Sequence, residues 1–271
     1  MPVGANFLSI NVSRSSGDVA VDPSLPIENS SATVYLEAIA YSRALKAWGQ
    51  SGIMNLLLPY AQVSASGNVF GQPRNRSVSG LGDPALRVAM NLYGAPALLP
   101  KDLPAYRQQT IVGVGLLATA PVGQYDSSKL INIGTNRWSF KPEAGVSVAS
   151  GKHWTFESIA GATFYTDNDN FLNGNTRSQK PLYALQGHLI YNVGPGFWFA
   201  ADGTYYVGGR TSVNGKVDND LQQNTRGGLT VSKAVDTRNS IKFNYSNGVT
   251  ARTGTSFQTI SVVWQYAWFN Q

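Results

Sequence analysis

From Gln258 to Trp268 the chain alternates strictly. One parity reads Ile260, Val262, Trp264, Tyr266, Trp268, and the other reads Thr259, Ser261, Val263, Gln265, Ala267. Successive side chains of an extended strand point to opposite faces. One face is therefore wholly apolar and ends in aromatics, while the other is mixed. The same split recurs along the chain. In 182–192, Tyr183, Leu185, Leu189 and Tyr191 oppose Gln186, His188 and Asn192; in 153–166, Trp154, Phe156, Ala160, Ala162 and Phe164 oppose Thr155, Glu157 and Thr163. Segments 240–247, 84–92, 138–148 and 6–13 repeat it, and weaker versions lie near 32–45, 51–65, 109–121, 197–208 and 223–234. Helical periodicity is almost absent. The sum is about twelve strands of the half-buried kind.

Such strands have two homes. A soluble sandwich packs its apolar face inward and presents a solvated, usually charged face. Here only 13% of residues are charged, and Gly, Ser, Thr, Asn and Gln fill the polar positions. The aromatics gather at strand ends, as in the interfacial girdles of membrane barrels. Roughly ten tilted residues suffice to cross the hydrocarbon layer, and lipid forces every backbone group to pair, so the sheet must close. The expectation is an all-β, antiparallel transmembrane barrel of about twelve strands, one domain over 1–271, with an even strand count placing both termini on the periplasmic side. No apolar run of about 18 residues exists that would make a spanning helix.

Connection lengths follow that parity. The expected long loops are 14–31, 66–79, 122–137, 167–180, 209–222 and 248–255; the short turns are Lys46–Gln50, Gly151–Lys152, Gly194–Gly196 and Asp236–Asn239. The connection 93–108 breaks the pattern by being long, and its prolines predict a short helix starting near Pro100 or Pro104.

Composition narrows the function. The net charge is +6, yet the basic residues are scattered singly, so nucleic acid is not expected as a partner. With no Cys, thiolate metal sites, thiol catalysis and disulfides are excluded. The start lacks a basic region followed by an apolar stretch, so the chain reads as a mature form without a signal peptide. Asp167–Gly174 resembles a calcium loop at first, but Phe171 stands where an oxygen ligand is needed and no closing Glu follows. No metal and no cofactor are expected. The paired glycines 208–209 and 227–228 lack the strand–loop–helix setting of a phosphate cradle. Of the two histidines, His153 falls in a turn and His188 on a polar face; neither has a nucleophile motif, so no catalytic residue is assigned.

The polar parity supplies the candidate site. The expected lumen-lining residues are Tyr35, Glu37, Tyr41, Arg43, Arg87, Lys141, Glu143, Glu157, Tyr165, His188, Trp198, Asp202, Arg226 and Lys242. Further apolar lumen positions are Phe7, Ile39, Leu57, Leu117, Ile159, Leu182, Ile190 and Tyr206. The charges are nearly balanced, which predicts paired networks rather than a selective ring of one sign. Twelve strands enclose more space than the eight that side chains fill, so a channel with apolar stretches is expected, crossed by hopping between weak sites. The segment Arg14–Ser31, with Pro23 and Pro26, is a candidate inward gate.

Several connecting motifs occur together: Pro2–Asn6, Gly17-Asp18 with Asp22–Ile27, Ser79–Pro84, Asn91–Ala97, Ala120–Asp126, Lys129–Trp138, Phe164–Asp169, Pro181–Gln186, and Thr204-Tyr-Tyr with Gly208–Thr211. Along essentially the whole length they resemble the outer-membrane channel family named for the meta-pathway of phenol degradation. The resemblance implies a monomeric twelve-stranded barrel in the outer membrane, in contact with its lipid and lipopolysaccharide. It implies passive uptake of small hydrophobic, aromatic molecules, and no enzymatic activity. The alternatives are a general small-solute porin and a barrel enzyme acting on lipid. The chain departs from the usual barrel ending on an aromatic residue, since Asn270 and Gln271 follow Phe269.

Overall fold

The computed structural model describes residues 2–20 and 27–269. The chain runs through β1 (Ala5–Ala20), β2 (Ile27–Ala47), β3 (Gln50–Val69), β4 (Gln72–Leu81) and β5 (Ala85–Tyr93). A 3-10 helix (Pro100–Ala105) precedes β6 (Thr110–Thr119), β7 (Ser139–Ser150) and β8 (Trp154–Tyr165). Then come β9 (Asn168–Phe171), β10 (Asn175–Gln179), β11 (Leu182–Gly194), β12 (Phe197–Gly208), β13 (Thr211–Val213) and β14 (Lys216–Val217). The last strands are β15 (Gln222–Ala234), β16 (Asn239–Ala251) and β17 (Gly254–Phe269).

Thirteen of these strands form one antiparallel sheet that closes on itself through the β1–β17 and β2–β3 pairings. They occupy twelve positions, because β4 and β5 both pair with β3 and are two halves of one strand. The interruption is Gly82-Asp83-Pro84. Proline has no N–H to give a ladder, and a side chain at position 82 would press to 3.0 Å from Pro59. β6 pairs with β5 but not with β4, so beyond Pro84 the wall's next neighbour is the 120–138 connection, whose Gln124 N–H donates to the Leu81 carbonyl at 2.7 Å.

Ala5 lies opposite Phe269, which defines a terminal end of the barrel. The turns at Trp48-Gly49, 151–153 and 195–196 lie at that end, as does 235–238, where Asp236 accepts the N–H groups of Arg238 and Asn239. These contacts hold its carboxyl below the usual carboxylate range. The 93–108 connection also sits there. Its helix begins at Pro100, one of the two expected starts, and has 3-10 rather than α geometry. Gly94 seals this connection. Its φ is +79°, a Cβ there would lie 1.8 Å from the Thr110 carbonyl oxygen, and Tyr106 donates to its own carbonyl at 2.6 Å. Gly94→Ala is expected to destabilise the barrel on the order of 3 kcal/mol, measured as a lower temperature at which the heat-modifiable folded band is lost on electrophoresis.

The opposite, loop end corrects three expected loops. The β1–β2 ladder continues to Asp18 and Ser31. Segment 66–79 is a hairpin turning at Phe70-Gly71, and 248–255 turns at Arg252-Thr253. These extensions alternate neutral polar residues, and hydroxyl pairs such as Ser31–Ser66 (3.0 Å) and Ser64–Ser77 (3.2 Å) replace the apolar contacts that mark a strand in sequence. Pro23 and Pro26 lie outside the described residues. The connections 167–180 and 209–222 carry a second, small sheet of β9, β10, β13 and β14.

Candidate functional site: the barrel interior and its inward loop

Directly opposed residues of paired strands share a face, so the register sorts every side chain. Ile260, Val262 and Trp264 of β17 are exposed apolar residues, and they oppose Arg14, Val12 and Ile10 of β1 and Tyr245, Phe243 and Ile241 of β16. The same face continues through Leu56 and Leu58 of β3, Leu86 and Val88 of β5, and Val112, Val114 and Leu116 of β6. This is the outer surface, an apolar band. At the terminal end it carries an aromatic girdle, with Trp154 and Phe199 against Tyr191 (4.7 and 5.2 Å) and Tyr266 against Trp264 and Trp268 (6.4 and 5.9 Å).

The other face is the interior. It carries Arg87, Lys141, Glu143, Glu157, Tyr165, His188, Trp198, Asp202, Arg226 and Lys242. Arg87 of β5 reaches across β6 to Glu143 of β7, with Nε 2.6 Å from Oε1 and a second guanidinium nitrogen on the same oxygen. Room for this comes from Gly115 between them, where a Cβ would approach Glu143 Oε1 to 3.2 Å. Lys141 Nζ lies 3.5 Å from the other carboxylate oxygen. Glu157 accepts from Ser147 at 3.0 Å and stands opposite His188. On the next wall His188 Nδ1 is 2.6 Å from Asp202, whose second oxygen accepts from Thr230 at 2.6 Å. Arg226 donates to Ser246 and Thr259, and Lys242 lies over Trp198 at 5.5 Å. The hydroxyl in the His188 network sits on the carboxylate and not on the imidazole, the reverse of a nucleophile–base pair.

Four expected lining residues are corrected. Tyr35, Glu37, Tyr41 and Arg43 face outward, opposite Arg14, Val12, Leu8 and Asn6, and so does Ile39, opposite Ile10. The interior of β2 is instead Val34, Leu36, Ala38 and Ala40, opposite Ser15, Ser13, Asn11 and Ser9. The polarity rule inverts here for a physical reason. The interior of this wall is covered by protein, while Glu37 sits beside Tyr60, where the outer face of β3 changes from Leu58 to Gln62. That is an interfacial position, which tolerates a carboxylate.

The covering protein is the 120–138 connection. Asp83, in the break of the fourth strand, accepts the Gly123 N–H (2.9 Å), the Thr135 N–H (2.8 Å) and the Thr135 hydroxyl (2.7 Å). Side chains at 123 and 134 would collide with backbone atoms at 2.7–2.8 Å, so two glycines permit this packing. From that anchor the loop crosses the interior. Gln124 packs on Gly80, Arg76 Nε donates to the Ile131 carbonyl (2.8 Å), and Asn132 ties the turn to Asp126. Leu130 and Ile131 end against Val34, Val63, Ala65 and Phe257, enclosing an apolar pocket of about 450 Å³. A second pocket of about 460 Å³ adjoins it at Leu130 and Ile27, with Phe171, Leu172 and Val213 on its far wall. Sequence reasoning missed this loop's role. Its signal was the pairing of Gly123 and Gly134 with an aspartate in a strand break.

A closed barrel of twelve strand positions with an apolar outer band and a polar, charge-paired interior defines an outer-membrane β-barrel. Residues 13–265 match the family described as "Putative MetA-pathway of phenol degradation", and the chain belongs to it. Among solved structures, an outer membrane channel from Pseudomonas putida F1 superposes with a TM-score of 0.84 at 22% identity, covering 99% of this chain and 97% of that one. The transport unit of the autotransporter AIDA-I from Escherichia coli (TM-score 0.54, 8% identity, 98% and 90% coverage) and the NanC porin (0.50, 12%, 97% and 100%) share the barrel more distantly. No functionally curated relative is detected by sequence.

Proposed function

We propose that this barrel is a passive outer-membrane channel for small hydrophobic molecules, aromatic ones in particular, acting as a single-domain monomer among lipid and lipopolysaccharide. The terminal end faces the periplasm and the loop end faces outward, as an even strand number and short terminal-end turns favour. The observation that carries the reading is the pair of apolar pockets beneath the inward loop, each about the volume of a small-molecule site. A hydrophobic solute leaves water there first. It then passes interior charges of both signs, of which Arg87 and Lys141 pair with Glu143 and His188 with Asp202. Near the terminal end it meets Trp198, Val263 and Gln265 around a further space of about 230 Å³. The family description supports an aromatic solute.

A general small-solute porin is the second reading, favoured by the charged and polar side chains Arg87, Asn91, Glu143 and Glu157 that border a space of about 150 Å³. Uptake of labelled monoaromatics by Gram-negative cells carrying the barrel, set beside sugar flux in proteoliposomes, separates the two. Faster monoaromatic uptake with little sugar flux is expected. Rapid sugar flux with no gain for monoaromatics would sink the first reading.

A further inference from the structure

The inward loop brings together two arginines that no carboxylate answers. Arg137 lies at the loop's return to β7 and stacks on the Tyr165 ring, with its guanidinium carbon 4.4 Å from the centroid. One of its terminal nitrogens donates to Gln179, and the other is buried without a hydrogen-bond partner. A buried guanidinium N–H left unpaired is rare, because it loses water and gains nothing. Arg177 of β10 stands on Phe171 at 5.1 Å. Among the described residues neither arginine forms a salt bridge; the three ion pairs lie deeper in the barrel. Asp167 is near enough to be felt by Arg137 but does not pair with it. Burial first, and Arg177 second, push the Arg137 guanidinium down to about 10, which leaves it protonated at neutral pH.

Both arginines line one polar space of about 180 Å³, with Tyr125, Asn132, Thr135 and Asn168. Leu130, Phe171 and Arg177 also line the larger apolar pocket of about 460 Å³, so the two spaces share a wall. That pocket is also lined by Asp218 and Asp220, which are engaged by Thr211 and repel an anion.

We infer that the loop end holds a binding site for small apolar carboxylates, the carboxylate between Arg137 and Arg177 and the apolar body against Leu130, Phe171 and Leu172. A planar carboxylate matches the guanidinium fork. The class differs from the neutral solutes of the proposed channel: the site retains an aromatic or short aliphatic acid at the mouth.

The experiment is calorimetric titration of the detergent-solubilised barrel with benzoate and, separately, with its neutral isostere benzamide. Benzoate is expected to bind about tenfold more tightly, the gain of one hydrogen bond to a charged group. Arg177→Gln is expected to erase the difference while the heat-modifiable folded band is kept. Arg137→Gln is expected to do the same, and loss of the folded band in that variant leaves Arg177→Gln as the deciding one. Equal binding of the two compounds, no binding of either, or a preference that survives Arg177→Gln overturns the inference. Binding is read without a membrane, so its failure leaves the channel reading standing, and failure of monoaromatic uptake leaves the site standing.

Discussion

Asp83→Ala is expected to raise single-channel conductance in planar bilayers several-fold and to make the current noisier. The carboxylate holds the 120–138 loop at both of its limbs, through Gly123 on the outgoing limb and Thr135 on the returning one. Hydrogen bonds to a charged group contribute about 1.5–3 kcal/mol each, and exposure of Thr135 places this set at the lower end. The loop keeps its tie to Leu81 and its apolar contacts at Leu130 and Ile131, so the variant frees a tethered segment rather than unfolding the barrel. Asp83→Asn, which keeps an acceptor but loses charge, is expected to fall between. Unchanged conductance in Asp83→Ala would mean that the loop's other ties hold it in place without this carboxylate.

Glu143→Gln is expected to shift the channel toward anions, read as a change in reversal potential across a salt gradient. Glu143 answers both Arg87 and Lys141, and its side chain is only 8% exposed while theirs are 34% and 17% exposed. Removing its charge leaves two cations on one wall facing Glu157 alone. Breaking a buried pair on one side costs about 3–5 kcal/mol; water in the lumen screens Arg87 and reduces that figure. The folded band is therefore expected to survive at a lower melting temperature. Glu157→Gln, whose carboxylate is held by Ser147 and not by a cation, is expected to shift the potential with little loss of stability.

The last strand and its partners were legible because lipid imposes an absolute rule: one face must be apolar over about ten residues. Ile260 to Trp268 obeys it, and so do Phe243–Tyr245 and Tyr183–Leu189. Legibility failed where another surface replaced lipid or water. β2 has protein over its interior, so Val34, Leu36 and Ala38 look like an outer face, while Tyr35, Glu37, Tyr41 and Arg43 look like a lumen. Beyond the apolar band both faces of the extended strands are polar, and Ser66 and Ser77 read as loop. The deeper charges were legible because Arg87, Lys141 and Glu143 lie on strands whose outward neighbours, Val88, Phe140 and Ala144, are unambiguous. The Arg137–Arg177 pair was not, because it joins a loop to a hairpin 40 residues away and no local pattern records that meeting.

β1 pairs with β17 along all 16 of its residues, Ala5 through Ala20, without a bulge. In most domains the chain ends are where a structure first comes apart. Here the first and last strands are sewn to each other along one continuous seam. The vulnerable place lies in the middle of the sequence, at Gly82-Asp83-Pro84, where the ladder is interrupted and a loop stands in for a strand. Disassembly of this barrel is thus set to begin as a tear from inside the sheet, with the two ends of the chain among the last parts to separate.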